Sequence, residues 1–129
     1  AGWDDYAKLH ITAMVAIDET TPENGSLEFI PGAHREGLLG RKWAPLEDSD
    51  TGYRPYVALH CKPGDAVFFD SYAPHRSEPN RTTHSRRVLY ITYNRLSEGD
   101  QRERYYADKH RNYPPDVERE AGKDYRFKV

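Results

Sequence analysis

The run Lys8-Leu9-His10-Ile11-Thr12-Ala13-Met14-Val15-Ala16-Ile17 is β-branched and apolar almost without interruption. That is too continuous for a strand with one wet face, and it predicts a strand in the middle of a sheet. Residues 18–25 carry turn chemistry and end in Asn24-Gly25, a pair suited to positive φ. Ser26-Leu27-Glu28-Phe29-Ile30 then alternates and stops at Pro31-Gly32, which predicts a second strand pairing back onto the first. Residues 56–61 read as a short strand, Lys62-Pro63-Gly64-Asp65 as a tight turn and residues 66–70 as the next strand. Val88-Leu89-Tyr90-Ile91 opens the last strand, which runs to Asn94.

Beyond Asn94 the pattern changes. Asp100 followed three positions later by Glu103 has the form of a capping box and predicts a helix over residues 100–111, stopped by Tyr113-Pro114-Pro115. In the charged tail, Tyr125 and Phe127 are alternating apolar positions expected to dock on the sheet. Short strands separated by Gly and Pro, with no strand–helix alternation, indicate a mainly β fold of jelly-roll type rather than a parallel α/β sheet. Residues 33–56 form an irregular stretch long enough to be a functional loop or a lid.

Composition limits what this fold is made of. The chain has 129 residues, 36% hydrophobic and 31% charged, so apolar material is scarce and ten Tyr supply much of the ring area. This is the size of one domain or a piece of one. A net charge of −2 offers no global attraction to nucleic acid or to an anionic membrane. No apolar run approaches the roughly 18 residues of a membrane span. A single cysteine, Cys61, excludes an internal disulfide and fits a reducing, cytoplasmic setting, where it is expected as a small core residue.

Six histidines are available, and none of their spacings is that of a zinc site. A lone histidine is ordinarily a hydrogen-bonded surface or core residue. His75 stands apart because Pro74 fixes the backbone before it and the preceding strand ends in Val67-Phe68-Phe69, which would hold a metal ligand at the rim of a rigid sheet. Arg86 follows eleven positions later, enough for a short loop and a return onto a neighbouring strand. Period-two alternation sends one of Arg86 and Arg87 to water. An inward-facing arginine in a strand without acidic residues would need an anion held by its bidentate fork. The residues alone leave both orientations of Arg86 open.

Pro63-Gly64-Asp65-Ala66-Val67-Phe68-Phe69-Asp70 with Pro74-His75-Arg76-Ser77, then Arg86 and the strand to Asn94, resembles the C-terminal part of the phytanoyl-CoA dioxygenase family. The resemblance extends upstream through residues 11–18, Glu23-Asn24-Gly25-Ser26-Leu27-Glu28 and Pro31-Gly32-Ala33-His34-Arg35, and downstream to Glu103-Arg104-Tyr105-Tyr106-Ala107-Asp108-Lys109. It implies a double-stranded β-helix and an iron(II), 2-oxoglutarate and O₂ dependent oxygenase acting on a small-molecule substrate. It makes His75 the distal iron ligand and Arg86 the partner of the far carboxylate of 2-oxoglutarate. Ser77 would support that carboxylate, and Met14 would line the co-substrate pocket.

The family's other two iron ligands form a His-x-Asp motif, and this chain contains none. His34-Arg35-Glu36 has a related form but follows a Pro-Gly turn that is structural in relatives. The expectation is therefore an incomplete domain that starts just past the motif, lacks its N-terminal part and exposes open strand edges that invite association. Two other classes remain open: a cupin-like jelly roll binding a metal or sugar without oxygenase activity, and a non-catalytic fragment or assembly module. The similarity lies nearer to relatives that hydroxylate small substrates, such as aminoalkylphosphonates, than to acyl-CoA enzymes. Trp43, Tyr53 and Tyr56 in the long loop would either cover a pocket, where rings suit a cationic amine, or serve packing.

Overall fold

The computed structural model describes residues 2–42 and 44–125. Among these are six strands: β1 (His10–Ala16), β2 (Leu27–Phe29), β3 (Val57–Ala58), β4 (Ala66–Asp70), β5 (His75–Ser77) and β6 (Val88–Asn94), followed by one α-helix, α1 (Arg102–Asn112). They form two three-stranded antiparallel sheets, ordered β4-β1-β6 and β3-β2-β5. From β3 onward the chain changes sheet at every connection.

β1 is central, as its unbroken apolar run predicts, pairing over Ile11–Val15 with β4 and over His10–Ala16 with β6. The second strand departs from expectation. It does not pair back onto β1 but crosses, through a 3-10 turn at Pro22–Asn24, into the other sheet between β3 and β5. Gly25 makes that crossing fit, with φ +78° and so little room that an added Cβ would lie 2.1 Å from the Glu78 carbonyl oxygen. Only glycine passes the chain beside β5 there.

Period-two alternation sends His10, Thr12, Met14 and Ala16 to one face of β1. Met14 and Ala16 meet Leu27 of the second sheet and Cys61, with Phe29, Leu59, Val67, Phe69 and Val88 packed around them. Cys61 is buried as a small core residue, and its backbone pairs with Thr20 in an isolated bridge. The opposite face of the first sheet is open. Phe68 is 70% and Tyr93 59% exposed, beside Ile11, Leu89 and Ile91. β4 and β6 end one sheet, β3 and β5 the other.

α1 occupies residues 102–112, close to its predicted span, without the capping box. Asp100 Oδ1 instead accepts from the Arg102 amide at 2.9 Å, closing a local turn before the helix. No residue of α1 is buried. Tyr6 donates its hydroxyl to Asp108 at 3.0 Å and meets the Tyr105 ring edge-on at 5.4 Å, so polar and aromatic contacts hold the helix rather than an apolar stripe. Tyr125 accepts from the Glu120 amide and lies under Lys123, so it packs on its own tail and not on the sheet. Phe127 lies outside the described residues.

Candidate active site

The turn leaving β4 aims the first candidate residue. Asp70 accepts from the Tyr72 amide through Oδ1 at 2.7 Å and from the Ala73 amide through its carbonyl at 2.9 Å. Pro74 then delivers the chain to β5, of which His75 is the first residue, paired with Phe29. Sequence reasoning placed His75 just after a strand on a loop, whereas it belongs to a strand of its own in the second sheet. Arg86 lies two residues before β6 of the first sheet. The histidine and the arginine are thus on facing sheets, not on neighbours within one.

The imidazole is fixed in plane and in tautomer. Its ring packs against Phe69 and Phe29, with centroids 5.2 and 5.8 Å away, and these two rings meet each other at 4.9 Å. Nδ1 lies 2.8 Å from the Ala73 carbonyl oxygen. A carbonyl can only accept, so Nδ1 carries the proton and Nε2 keeps the lone pair. That is how a metal-binding imidazole is oriented from behind.

Arg86 and Arg87 part company as alternation requires. Arg87 grips Asp18 with Nε and Nη2, each at 2.8 Å, and its amide adds a third bond to the same carboxylate. Arg86 points inward, and its Nε and Nη1 are buried with no hydrogen-bond partner among the described residues. A buried charged donor left unsatisfied is costly, and the arrangement invites an anion. Ser77 pairs with Leu27 on β5 and is exposed, while the neighbouring Ser26 Oγ is buried and also without a partner. Met14, 1% exposed, is sealed in the core opposite Val67 and Tyr90, a wall of the interior rather than an open rim.

Glu36 is committed to Arg54 and His34 is exposed. His10 is buried on β1, and desolvation pushes its pKa below the usual value. Among the described residues no three His, Cys, Asp or Glu side chains converge as a metal site.

A cavity of about 560 Å³ opens beside His75, lined by residues 37–39, Arg41, residues 44–46 and Asp48 and bounded by Tyr56 and Tyr72. Asp4, from the 3-10 turn Gly2–Asp5, organises its edge. It accepts from Tyr72 Oη at 2.5 Å, from Lys8 Nζ at 2.8 Å and from Lys42 Nζ at 3.4 Å, and Lys42 also holds Asp5. The Lys8 and Tyr72 hydrogen bonds lower the Asp4 pKa to about 2, and the same carboxylate raises the Tyr72 pKa to about 12. Nothing in the local sequence marks these residues, which are joined only by the fold. Of the loop aromatics, Tyr56 lines the cavity, but Arg76 already stacks on its ring at 4.2 Å. Tyr53 is 78% exposed and is not among the lining residues, and Trp43 lies outside the described residues.

The pattern that places these residues is shared with known proteins. The model of the Phytanoyl-CoA dioxygenase (PhyH) family matches residues 2–88. The chain belongs to the phytanoyl-CoA dioxygenase family. Among its PhyH-type relatives, it is 46% identical over 117 residues to a methylphosphonate hydroxylase of Gimesia maris, covering 84% of this chain and 42% of that protein. It is 44% identical over 126 residues to a 2-aminoethylphosphonate dioxygenase of an uncultured bacterium, covering 92% of this chain and 45% of the relative. The chain thus spans less than half the length of these relatives. Among solved structures, EctD from S. alaskensis with 2-oxoglutarate and 5-hydroxyectoine superposes with a TM-score of 0.60 at 27% identity, over 75% of this chain and 36% of that one. The fold is accordingly the mainly β, double-stranded β-helix type of these PhyH-like oxygenases.

Proposed function

We propose that this chain is the C-terminal part of an iron(II) and 2-oxoglutarate dependent oxygenase that hydroxylates a small organic substrate of the aminoalkylphosphonate kind. One observation carries the reading: the Arg86 guanidinium is turned into the protein with two donors unmet, which suits the far carboxylate of 2-oxoglutarate. His75 would present Nε2 to iron from behind the Ala73 hydrogen bond, Ser77 would support the co-substrate carboxylate and Met14 would close the wall behind it. Iron with 2-oxoglutarate supplies O₂ activation at a substrate C–H bond. This chain contributes one ligand, one carboxylate clamp and a cavity. A jelly roll that bound only a metal or a sugar would leave the orphaned Arg86 donors without a role. The phosphonate-directed activities named for the two relatives support the substrate class.

The remaining two iron ligands would come from polypeptide outside these residues. The open β5 and β6 edges, the exposed outer face and the greater length of the relatives support this. A single buried thiol suits a cytoplasmic setting, and no described helix is long and apolar enough to cross a membrane. Titration with 2-oxoglutarate tests the reading: Arg86→Ala should weaken binding by about a hundredfold, the worth of a lost bidentate clamp, with partial recovery in Arg86→Lys. Unchanged affinity in Arg86→Ala would refute it. The isolated 129 residues are expected to form no succinate from 2-oxoglutarate, and robust turnover dependent on His75 would count against a divided site.

A further inference from the structure

Three charged side chains line the cavity beside His75, those of Arg41, Asp48 and Arg76, and one of them is already engaged within the protein. Arg76 holds Glu28 at 2.8 Å, approaches Glu78 at 4.0 Å and stacks on Tyr56. Lys42, next in sequence to the lining residue Arg41, is tied to Asp4 and Asp5. Two lining charges have no such commitment among the described residues: the Arg41 guanidinium and the Asp48 carboxylate, neither of which takes part in an ion pair or a side-chain hydrogen bond.

Arg41 is nonetheless carried on a fixed piece of chain. On one side Gly40, at φ +66°, is so tightly set that an added Cβ would lie 2.8 Å from both Asp50 Oδ2 and Leu46 Cδ2. On the other side Lys42 anchors the loop to the Gly2–Asp5 turn. An exposed cation without an internal partner, held between two anchored neighbours in the lining of a cavity, is available to a ligand anion. Asp48, also exposed, adds the opposite charge to the lining.

We infer that Arg41 and Asp48 are specificity-determining residues, Arg41 binding the oxyanion headgroup of the substrate and Asp48 the ammonium group of a zwitterionic one. This rests on the oxygenase reading above for the identity of the substrate. The two charges read the ends of a short zwitterion, while Arg86 remains dedicated to the co-substrate.

The test is direct binding to the natural full-length polypeptide, with methylphosphonate and 2-aminoethylphosphonate as probes followed by phosphorus NMR and calorimetry. Arg41→Ala should weaken both probes by about tenfold to a hundredfold and leave 2-oxoglutarate affinity unchanged, with Arg41→Lys recovering part of the loss. Asp48→Asn should weaken 2-aminoethylphosphonate by about tenfold and leave methylphosphonate untouched. Phosphonate affinities that stay within about twofold in Arg41→Ala, or no binding of either probe to the wild-type protein, would overturn the inference. Failure of the oxygenase reading appears separately, as a wild-type protein whose 2-oxoglutarate binding does not depend on Arg86.

Discussion

Replacing Arg86 with methionine should make the ligand-free protein more stable while removing its response to 2-oxoglutarate. The guanidinium buries Nε and Nη1 without a partner, and each unmet buried donor costs about 1–3 kcal/mol. Methionine keeps an unbranched side chain of similar reach, contributes apolar burial and carries no such debt. If only about 1 kcal/mol of the penalty is recovered, the melting temperature rises by roughly 4 °C for a domain of this size. The wild-type protein gains in the other direction: 2-oxoglutarate at a hundred times its Kd stabilises by about 2.7 kcal/mol through mass action. The two stabilities should therefore cross, the variant melting higher without 2-oxoglutarate and the wild type melting higher with it. Thermal unfolding by circular dichroism, with and without 2-oxoglutarate and under anaerobic iron(II), reads both arms. An Arg86→Met protein that melts lower without ligand would show that the two donors are met after all. One that keeps the full ligand-induced shift would remove Arg86 from the co-substrate site.

Two further outcomes follow from the packing and the charges. Gly25→Ala forces a β-carbon onto the Glu78 carbonyl at a left-handed backbone position, and it should destabilise the fold on the order of 3 kcal/mol and loosen β5 with His75 and Ser77; a denaturant midpoint equal to wild type would refute the close approach. Acid should lower the stability over two ranges of pH. The lowered pKa of His10 makes its contribution complete above its ordinary 6.5 and lost as pH falls below that value, and Asp4, lowered from 3.8 to about 2, loses its contribution as pH falls from 3.8 toward 2. Asp18, held at about 2 by Arg87, falls in the same range, so Asp4→Asn should lessen the lower fall without removing it in an acid titration of stability, and an unaltered lower limb would rule out a contribution from the Asp4 cluster.

Several features were legible in the chain because they depend on local alternation. The unbroken apolar run of β1 made it a two-sided central strand, and the adjacent Arg86 and Arg87 had to point to opposite sides; the core place of Cys61 was legible from its residue type, since free thiols are habitually buried. Period two is a property of the extended backbone itself and needs no partner to operate. The family resemblance was legible for a related reason, since turn residues such as Gly25 answer to backbone geometry that a single stretch of sequence records.

What only the tertiary structure decided is where each strand goes and which distant groups meet. β2 was expected beside β1 and lies in the other sheet, because alternation is equally satisfied by any neighbour that covers one face. The capping box before α1 gave way to a tighter local bond from Asp100 to the Arg102 amide. Tyr56, readable as a cation-binding ring, is occupied by Arg76 of the same chain. The Asp4 cluster draws Lys42 and Tyr72 from positions 38 and 68 residues away, and no spacing rule connects them. For Arg86 the sequence by itself narrowed the choice to water or an anion. The packing of β6 against the core chose the inward course and left two donors waiting, because a buried charge is decided by everything around it and not by its neighbours in the chain.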